Sequence, residues 1–315
     1  MTELVKLAFV GLRGPLARNA PLARYTSWRA GGPADLLFRP ADRDDLAEFV
    51  RQLPRDVPLL VLGLGSNTLV RDGGVRGAVV VMHEPGAALA VADGLVYAEA
   101  GVANPKIARL AARLGCEGAE FLAGVPGTIG GALAMNAGCY GSETWNHVAR
   151  VEVLTREGRF EIRTPADYSV GYRSVRRADG SPPDGIFTAA WLRFAPGDAA
   201  KARARIKELL AKRIASQPLS MPNAGSVFRN PPGDHAARLI EAAGLKGHTL
   251  GGARVSEMHA NFIVNPGGRA LASDIEALVA HVRAVVKSLH GVDLETEVRI
   301  VGEAAAAPRE TEAGR

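Results

Sequence analysis

Cysteine is almost missing from this chain. Cys116 and Cys139 are the only two in 315 residues. That excludes a disulfide scaffold and makes a four-thiolate zinc site impossible. The seven histidines show no HExxH or similar ligand spacing, so no structural metal is expected. Aromatics are only 5 %, and no dense Lys/Arg block is interleaved with them. A nucleic-acid role is therefore not expected. No run of about 18 apolar residues occurs, which argues against a membrane span. The N-terminal MTELVKLAFVGLRG carries an early acid and only a short apolar run, a poor signal peptide, so a cytoplasmic location is expected. No internal repeat is visible.

What is present is an ordinary globular balance, 47 % hydrophobic and 23 % charged residues, in a length that suggests two or three domains. The net charge is +5, and Arg far outnumbers Lys. A GC-rich coding sequence would produce that bias. Attraction of acidic ligands such as nucleotide diphosphates would also use it.

Helices are predicted over 41–53, bounded by Pro40 and Pro54, and over 104–114, with Asn104 as cap and Pro105 in the first turn. Further helices are predicted over 201–216, with Ile206, Leu209, Leu210 and Ile214 on one face, and over 235–243, ended by Gly244. Apolar spacing from Ile275 to Leu289 predicts a last helix, capped by Ser273 and followed by Gly291. Strands are predicted at 59–62, 78–82, 95–98, 148–154, 186–194 and 298–301, with a hairpin partner at 159–163. Pro196-Gly197-Asp198 marks a domain boundary. Irregular alternation of strands and helices favours an α+β class over a doubly wound parallel sheet.

Two glycine-rich loops stand out. Gly63-Leu64-Gly65-Ser66-Asn67-Thr68 follows a predicted strand. Successive amides there, with the Ser, Asn and Thr side chains, can surround a pyrophosphate. Thr68 stands where a third glycine of GxGxxG would be, so this is not a Rossmann fingerprint. Gly124-Val125-Pro126-Gly127-Thr128-Ile129-Gly130-Gly131-Ala132 is followed by Met135-Asn136-Ala137-Gly138. Each glycine would weaken a regular element by roughly 0.5–1 kcal/mol, a cost that close backbone approach to a flat phosphorylated cofactor explains.

The pair of loops, with Gly171-Tyr172-Arg173, Gly225-Ser226-Val227-Phe228-Arg229-Asn230-Pro231 and Leu294-Glu295-Thr296-Glu297-Val298-Arg299-Ile300, resembles the UDP-N-acetylenolpyruvoylglucosamine reductase (UDP-N-acetylmuramate dehydrogenase) family. Tyr25-Thr26-Ser27-Trp28-Arg29-Ala30-Gly31-Gly32-Pro33-Ala34-Asp35 is similar to that family's N-terminal segment, and the likeness runs from about residue 20 to 302. It implies a vanillyl-alcohol-oxidase-like (PCMH-type) FAD-binding fold of two subdomains plus a C-terminal α+β substrate domain. The expected division is an N-terminal extension 1–19, FAD-binding subdomains 20–75 and 76–197, a substrate-binding domain 198–302 whose last strand returns to the active site, and a disordered tail 303–315.

The resemblance implies non-covalent FAD, so His83 and Cys139 are not assigned as flavin tethers. Gly63, Gly65, Ser66, Asn67 and Thr68 would bind its pyrophosphate. Pro126, Gly127, Thr128, Gly130, Gly131 and Asn136 would line the rest. NADPH is the implied co-substrate, and UDP-N-acetylglucosamine enolpyruvate the implied substrate. Reduction of an enol ether bearing a carboxylate needs a hydride source, a stabiliser for enolate-like charge and a proton donor. Reduced FAD would supply the hydride from N5. Arg173 suits the stabiliser, because a guanidinium pairs bidentately with a carboxylate. Ser226 suits the proton donor. Glu297 would hold the substrate carboxyl region if protonated, or orient a water and Arg173; its state is open at this point. Asn230, Lys246 and His259 are candidate uridine-diphosphate contacts.

The family commonly writes Y-R-x-S, whereas this chain reads Tyr172-Arg173-Ser174-Val175, which leaves Ser174 without a role. The span from Arg173 to Ser226 is short and holds no tyrosine. This places the chain in the second branch of the family, without a tyrosine-bearing loop. A monomer is expected. The competing readings are another FAD oxidase or dehydrogenase of the same fold and a non-catalytic nucleotide-binding protein.

Overall fold

The computed structural model describes residues 7–83 and 86–305. Strands β1 (Leu16–Pro21), β2 (Pro33–Phe38), β3 (Leu59–Leu62) and β5 (Val75–Val81) form one sheet in the order β1-β2-β5-β3. Only β1 is antiparallel to its neighbour. The short strand β4 (Thr68–Val70) leaves this sheet and pairs in parallel with Arg299–Val301. Helix α1 (Arg43–Gln52) packs Leu46, Phe49 and Val50 against the sheet. Its start is specified twice. Asp42 accepts from the amides of Asp44 and Asp45, and the buried Asp45 carboxylate accepts from the amides of Arg13, Gly14 and Ala41.

A second sheet is wholly antiparallel. It runs from Phe160–Arg163 through Val148–Thr155, Gly185–Leu192 and β7 (Leu95–Glu99) to β6 (Leu89–Ala92). Helices α2 (Asn104–Arg113) and α3 (Ile129–Met135) close one face of it around Ile107, Ile129 and Leu133. A third unit sets α5 (Ala236–Ala242) and α6 (Ala272–His290) against the small sheet Thr249–Leu250, Ala253–Val255 and Ile263–Val264. Trp28 from the N-terminal segment is fully buried in this third core, and its Nε1–H donates to the Ile263 carbonyl at 2.7 Å. The class is α+β, as expected.

Several local expectations change. Asn104 does not cap α2; it is the first helical residue, fully buried, and Ala103 occupies the cap. Ser273 does not cap α6. Leu271 stands there, and the remote Asp72 carboxylate accepts from the amides of Ala272 and Ser273. Helix α4 (Ala199–Ser216), expected within the substrate domain, packs Ala202 and Ile206 into the core of α2 and the second sheet. Ile214 is exposed, so the apolar face of α4 does not reach its last turn. The expected N-terminal extension contains the start of β1, and Leu7, Phe9 and Leu12 pack on the first core. Of the expected tail, Glu303 bridges Gly74, whereas 306–315 lie outside the described residues. Among the described residues no helix is long and apolar enough to cross a membrane.

Candidate active site

Arg173 sits in a two-residue turn. Strands Tyr168–Gly171 and Ser174–Arg177 pair antiparallel up to Gly171 and Ser174, leaving Tyr172 and Arg173 at the tip. Arg173 adopts φ +53°, a left-handed conformation that a non-glycine residue holds at a cost of about 1–2 kcal/mol. Its guanidinium turns back into the protein. Nε donates to Glu297 Oε1 at 2.9 Å, Nη2 to the Gly138 carbonyl at 2.8 Å and Nη1 to the Asn136 carbonyl at 3.3 Å. Both side chains of the Arg173–Glu297 pair are only 13 % exposed.

Glu297 is delivered by long-range strand pairing. The β4 pairing fixes Arg299–Val301, and the Asn67 side-chain amide donates to the Glu297 carbonyl at 3.0 Å. The Glu297 amide donates to the Val227 carbonyl at 2.8 Å, and Phe228 bridges Thr296. The Ser226 and Glu297 segments therefore lie side by side. Asn261 locks the same stretch by exchanging two side-chain hydrogen bonds with the Phe228 backbone. Burial pushes the Glu297 carboxyl above the ordinary glutamate range, against the opposing pull of Arg173. The Ser226 hydroxyl has no hydrogen-bond partner among the described residues.

Both glycine-rich loops and all three of these residues border one cavity of about 360 Å³. An adjoining cavity of about 620 Å³ shares Arg173, Glu297, Asn67, Thr128 and Met135 with it. A Cβ at Gly63 would strike the Thr128 side chain, and one at Gly127, whose φ is +108°, would lie 2.8 Å from Ser66 Oγ. The loops thus approach each other as well as the cavity. The Thr128 hydroxyl is buried and has no partner among the described residues. Such a group costs stability unless a ligand satisfies it. An apolar-floored cleft with glycine backbone and an orphaned hydroxyl fits a phosphorylated flavin cofactor.

Sequence-predicted positions divide here. Gly63, Gly65, Ser66, Asn67, Thr68, Pro126, Gly127, Thr128 and Gly131 border the first cavity. Gly130 borders the second, yet a Cβ there would meet Ala100 Cβ at 2.8 Å. Its glycine is required by packing of α3 on the strand end. The expected flavin contact of Asn136 is not made available. Its Nδ2 donates to Glu143 Oε2 at 2.8 Å and the Gly171 carbonyl at 3.1 Å, and its Oδ1 accepts from the Trp145 amide. Asn136 instead builds the seat of Arg173.

Asn230, Lys246 and His259 border neither cavity. Each makes one side-chain hydrogen bond nearby. Asn230 Oδ1 accepts from the Ala236 amide, Lys246 Nζ lies 3.1 Å from Glu241, and His259 Nδ1 accepts from the Asn261 amide. Burial lowers the His259 pKa. Cys139 donates to the Phe121 carbonyl and is pushed up to about 11 by burial, which holds its thiol neutral. Sequence reasoning missed Arg213 and Gln217, which border the first cavity, and Arg229, which borders the second. Arg229 had a signal, since it lies inside the segment that carries Ser226.

A family model for an FAD binding domain matches residues 34–162. A model for the UDP-N-acetylenolpyruvoylglucosamine reductase C-terminal domain matches residues 217–301. A UDP-N-acetylenolpyruvoylglucosamine reductase of Nitrosospira multiformis is 53 % identical, covering 96 % of this chain and 93 % of its own. The chain belongs to the UDP-N-acetylenolpyruvoylglucosamine reductase family. A reductase of the same name from Alkalilimnicola ehrlichii is 56 % identical over 92 % of this chain and 96 % of its own. The crystal structure of the Thermus caldophilus UDP-N-acetylenolpyruvylglucosamine reductase superposes with a TM-score of 0.75 at 34 % identity, covering 91 % of this chain and 98 % of that one. The vanillyl-alcohol-oxidase-like FAD-binding fold with a C-terminal α+β domain holds for this member of the reductase family.

Proposed function

We propose that this chain is the NADPH-dependent flavoenzyme that reduces UDP-N-acetylglucosamine enolpyruvate to UDP-N-acetylmuramate, in the cytoplasmic synthesis of peptidoglycan precursors. The observation that carries the proposal is the Arg173–Glu297 pair, 2.9 Å apart, on the same cavity as Ser226 and both glycine-rich loops. FAD held at the glycine-rich loops would supply the hydride chemistry that links NADPH to the terminal carbon of the enol ether.

A guanidinium has five N–H donors. Arg173 commits three to Glu297, Asn136 and Gly138, leaving two for the substrate carboxylate and the charge that develops beside it. Ser226, with no competing partner, gives its proton to the carbon next to that carboxylate. A serine is a weak acid, so the basicity of the enolate drives the transfer. Glu297 holds Arg173 in place through Oε1, with burial raising its pKa against the pull of Arg173. Thr128, Ser66 and the loop amides would hold the cofactor. NADPH and the sugar nucleotide enter this site in turn, since both must reach the same flavin face. The chain is read as a monomer of the branch without a tyrosine loop. What supports that branch is the lack of any tyrosine between Tyr172 and Ser226.

The test is anaerobic reduction of the holoenzyme by NADPH, followed by the enolpyruvyl sugar nucleotide. Flavin reoxidation without oxygen is the expected result. A flavin that stays reduced until oxygen is admitted would point to an oxidase of the same fold instead.

A further inference from the structure

Arg229 lies three residues beyond Ser226, on a stretch that runs beside the Glu297 segment. Its amide donates to the Glu295 carbonyl at 2.9 Å. Its side chain crosses to a third segment, where Nη2 donates to the backbone carbonyl of Arg173 at 3.3 Å. That carbonyl belongs to the strained turn tip, whose neighbours Gly171 and Tyr172 are exposed. Asn136 holds one flank of the turn through the Gly171 carbonyl, and Arg229 holds the other.

Stability alone explains this guanidinium poorly. Its Nε is buried without a partner among the described residues. Its nearest carboxylate, Glu295, is 3.6 Å away and three-quarters exposed, a geometry that contributes little. A buried donor left unpaired is a cost. The residue nonetheless borders the cavity that also holds Arg173 and Glu297.

We infer that Arg229 is a positioning residue for the reaction with the sugar substrate: it clasps the turn carrying Arg173 to the segment carrying Ser226. The inference rests on the reading of the site given above. By fixing the turn, the clasp sets where the two free N–H groups of Arg173 meet a substrate carboxylate relative to the Ser226 hydroxyl. Arg229 also acts on Glu297 at longer range. The charged groups around that carboxyl are Arg173, Arg229 and Arg299, with Glu295 on its own segment and Glu143 4.0 Å from Arg173. Arg229 is one of the cations that pull the Glu297 pKa down.

Arg229→Met and Arg229→Lys in the holoenzyme test the clasp. Hydrogen exchange reads it without catalysis. In Arg229→Met the amides of residues 171–175 should exchange about tenfold faster or more, with α5 and the cofactor loops unchanged. In stopped flow, flavin reoxidation by the sugar nucleotide should slow about tenfold or more, while reduction by NADPH stays within about twofold. The acid limb of reoxidation should move to higher pH in Arg229→Met and return in Arg229→Lys, which keeps a cation there. Unchanged exchange would overturn the clasp. Faster exchange with unchanged reoxidation would overturn the positioning role, as would equal slowing of both half-reactions with loss of flavin. If the wild-type flavin is not reoxidised by the sugar nucleotide, the functional reading fails while exchange still decides whether the clasp exists.

Discussion

Arg173, Ser226 and Glu297 come from three distant segments and meet on one cavity, whereas Lys246 and His259 lie close in sequence and keep to local partners. All five were singled out by the same resemblance. The first three are carried by backbone pairing across units: β4 with Arg299–Val301, Phe228 with Thr296, and the hairpin held by Asn136. Their side chains retain unused hydrogen-bonding capacity facing the cavity. Lys246 and His259 border neither cavity, and the bonds they make are to the neighbouring Glu241 and the Asn261 amide. Unused capacity outside a cleft is met by water, whereas unused capacity within a cleft stands ready for a ligand.

The sharpest way to break this contrast is Ser226→Ala. Reoxidation by the enolpyruvyl substrate should fall by about 10²–10⁴-fold, with flavin content and reduction by NADPH nearly intact. An unchanged reoxidation rate would remove Ser226 from the mechanism. The next effect concerns pH. Glu297 has a raised pKa, set first by burial, so the ionised form that holds Arg173 is lost as pH falls through a value above the ordinary glutamate pKa of about 4.3. The reoxidation rate should show an acid limb above that value. Glu297→Gln should lack the limb and be slow throughout; a limb of unchanged position in Glu297→Gln would assign it to another group.

Two adjacent glycines separate cofactor approach from packing. A Cβ at Gly131 meets nothing closer than Thr128 Oγ1 at 3.9 Å, while one at Gly130 collides with Ala100. Gly131→Leu should lose flavin while the fold survives. Gly130→Ala should cost about 1–3 kcal/mol of stability, seen as a lower denaturation midpoint. Normal flavin content in Gly131→Leu would contradict the cavity assignment. Smallest of all should be Lys246→Ala, at most about 1 kcal/mol of stability and both half-reactions within about twofold. A large rise in KM for the sugar nucleotide would return Lys246 to the substrate site.

Much of this was legible in the sequence because the signals are local. The run 59–62 became β3, and α1, α2 and α6 formed within a few residues of their expected bounds. The capping errors at Asn104 and Ser273 share one cause. The decisive partner is remote: Asp72 for α6, and for Asn104 a buried packing position beside Val125. Asn67 and Asn136 sit among glycines, and Asn67 borders the cavity while Asn136 does not. Long-range partners, the Glu297 carbonyl and the Gly171 carbonyl, claim their amides. Gly130 reads the same as Gly131 in sequence, and only the position of Ala100 tells them apart.

The central claim is that Arg173 and Glu297 act as one unit, and only on the sugar substrate. The direct measurement is a double-mutant cycle of Arg173→Lys and Glu297→Gln, read by anaerobic stopped flow on the two half-reactions. Residues that share one function are strongly non-additive. Each single variant should slow flavin reoxidation, the double variant should be little slower than the worse single, and reduction by NADPH should be nearly unaffected in all three. Multiplicative losses, or equal slowing of reduction by NADPH, would contradict the account.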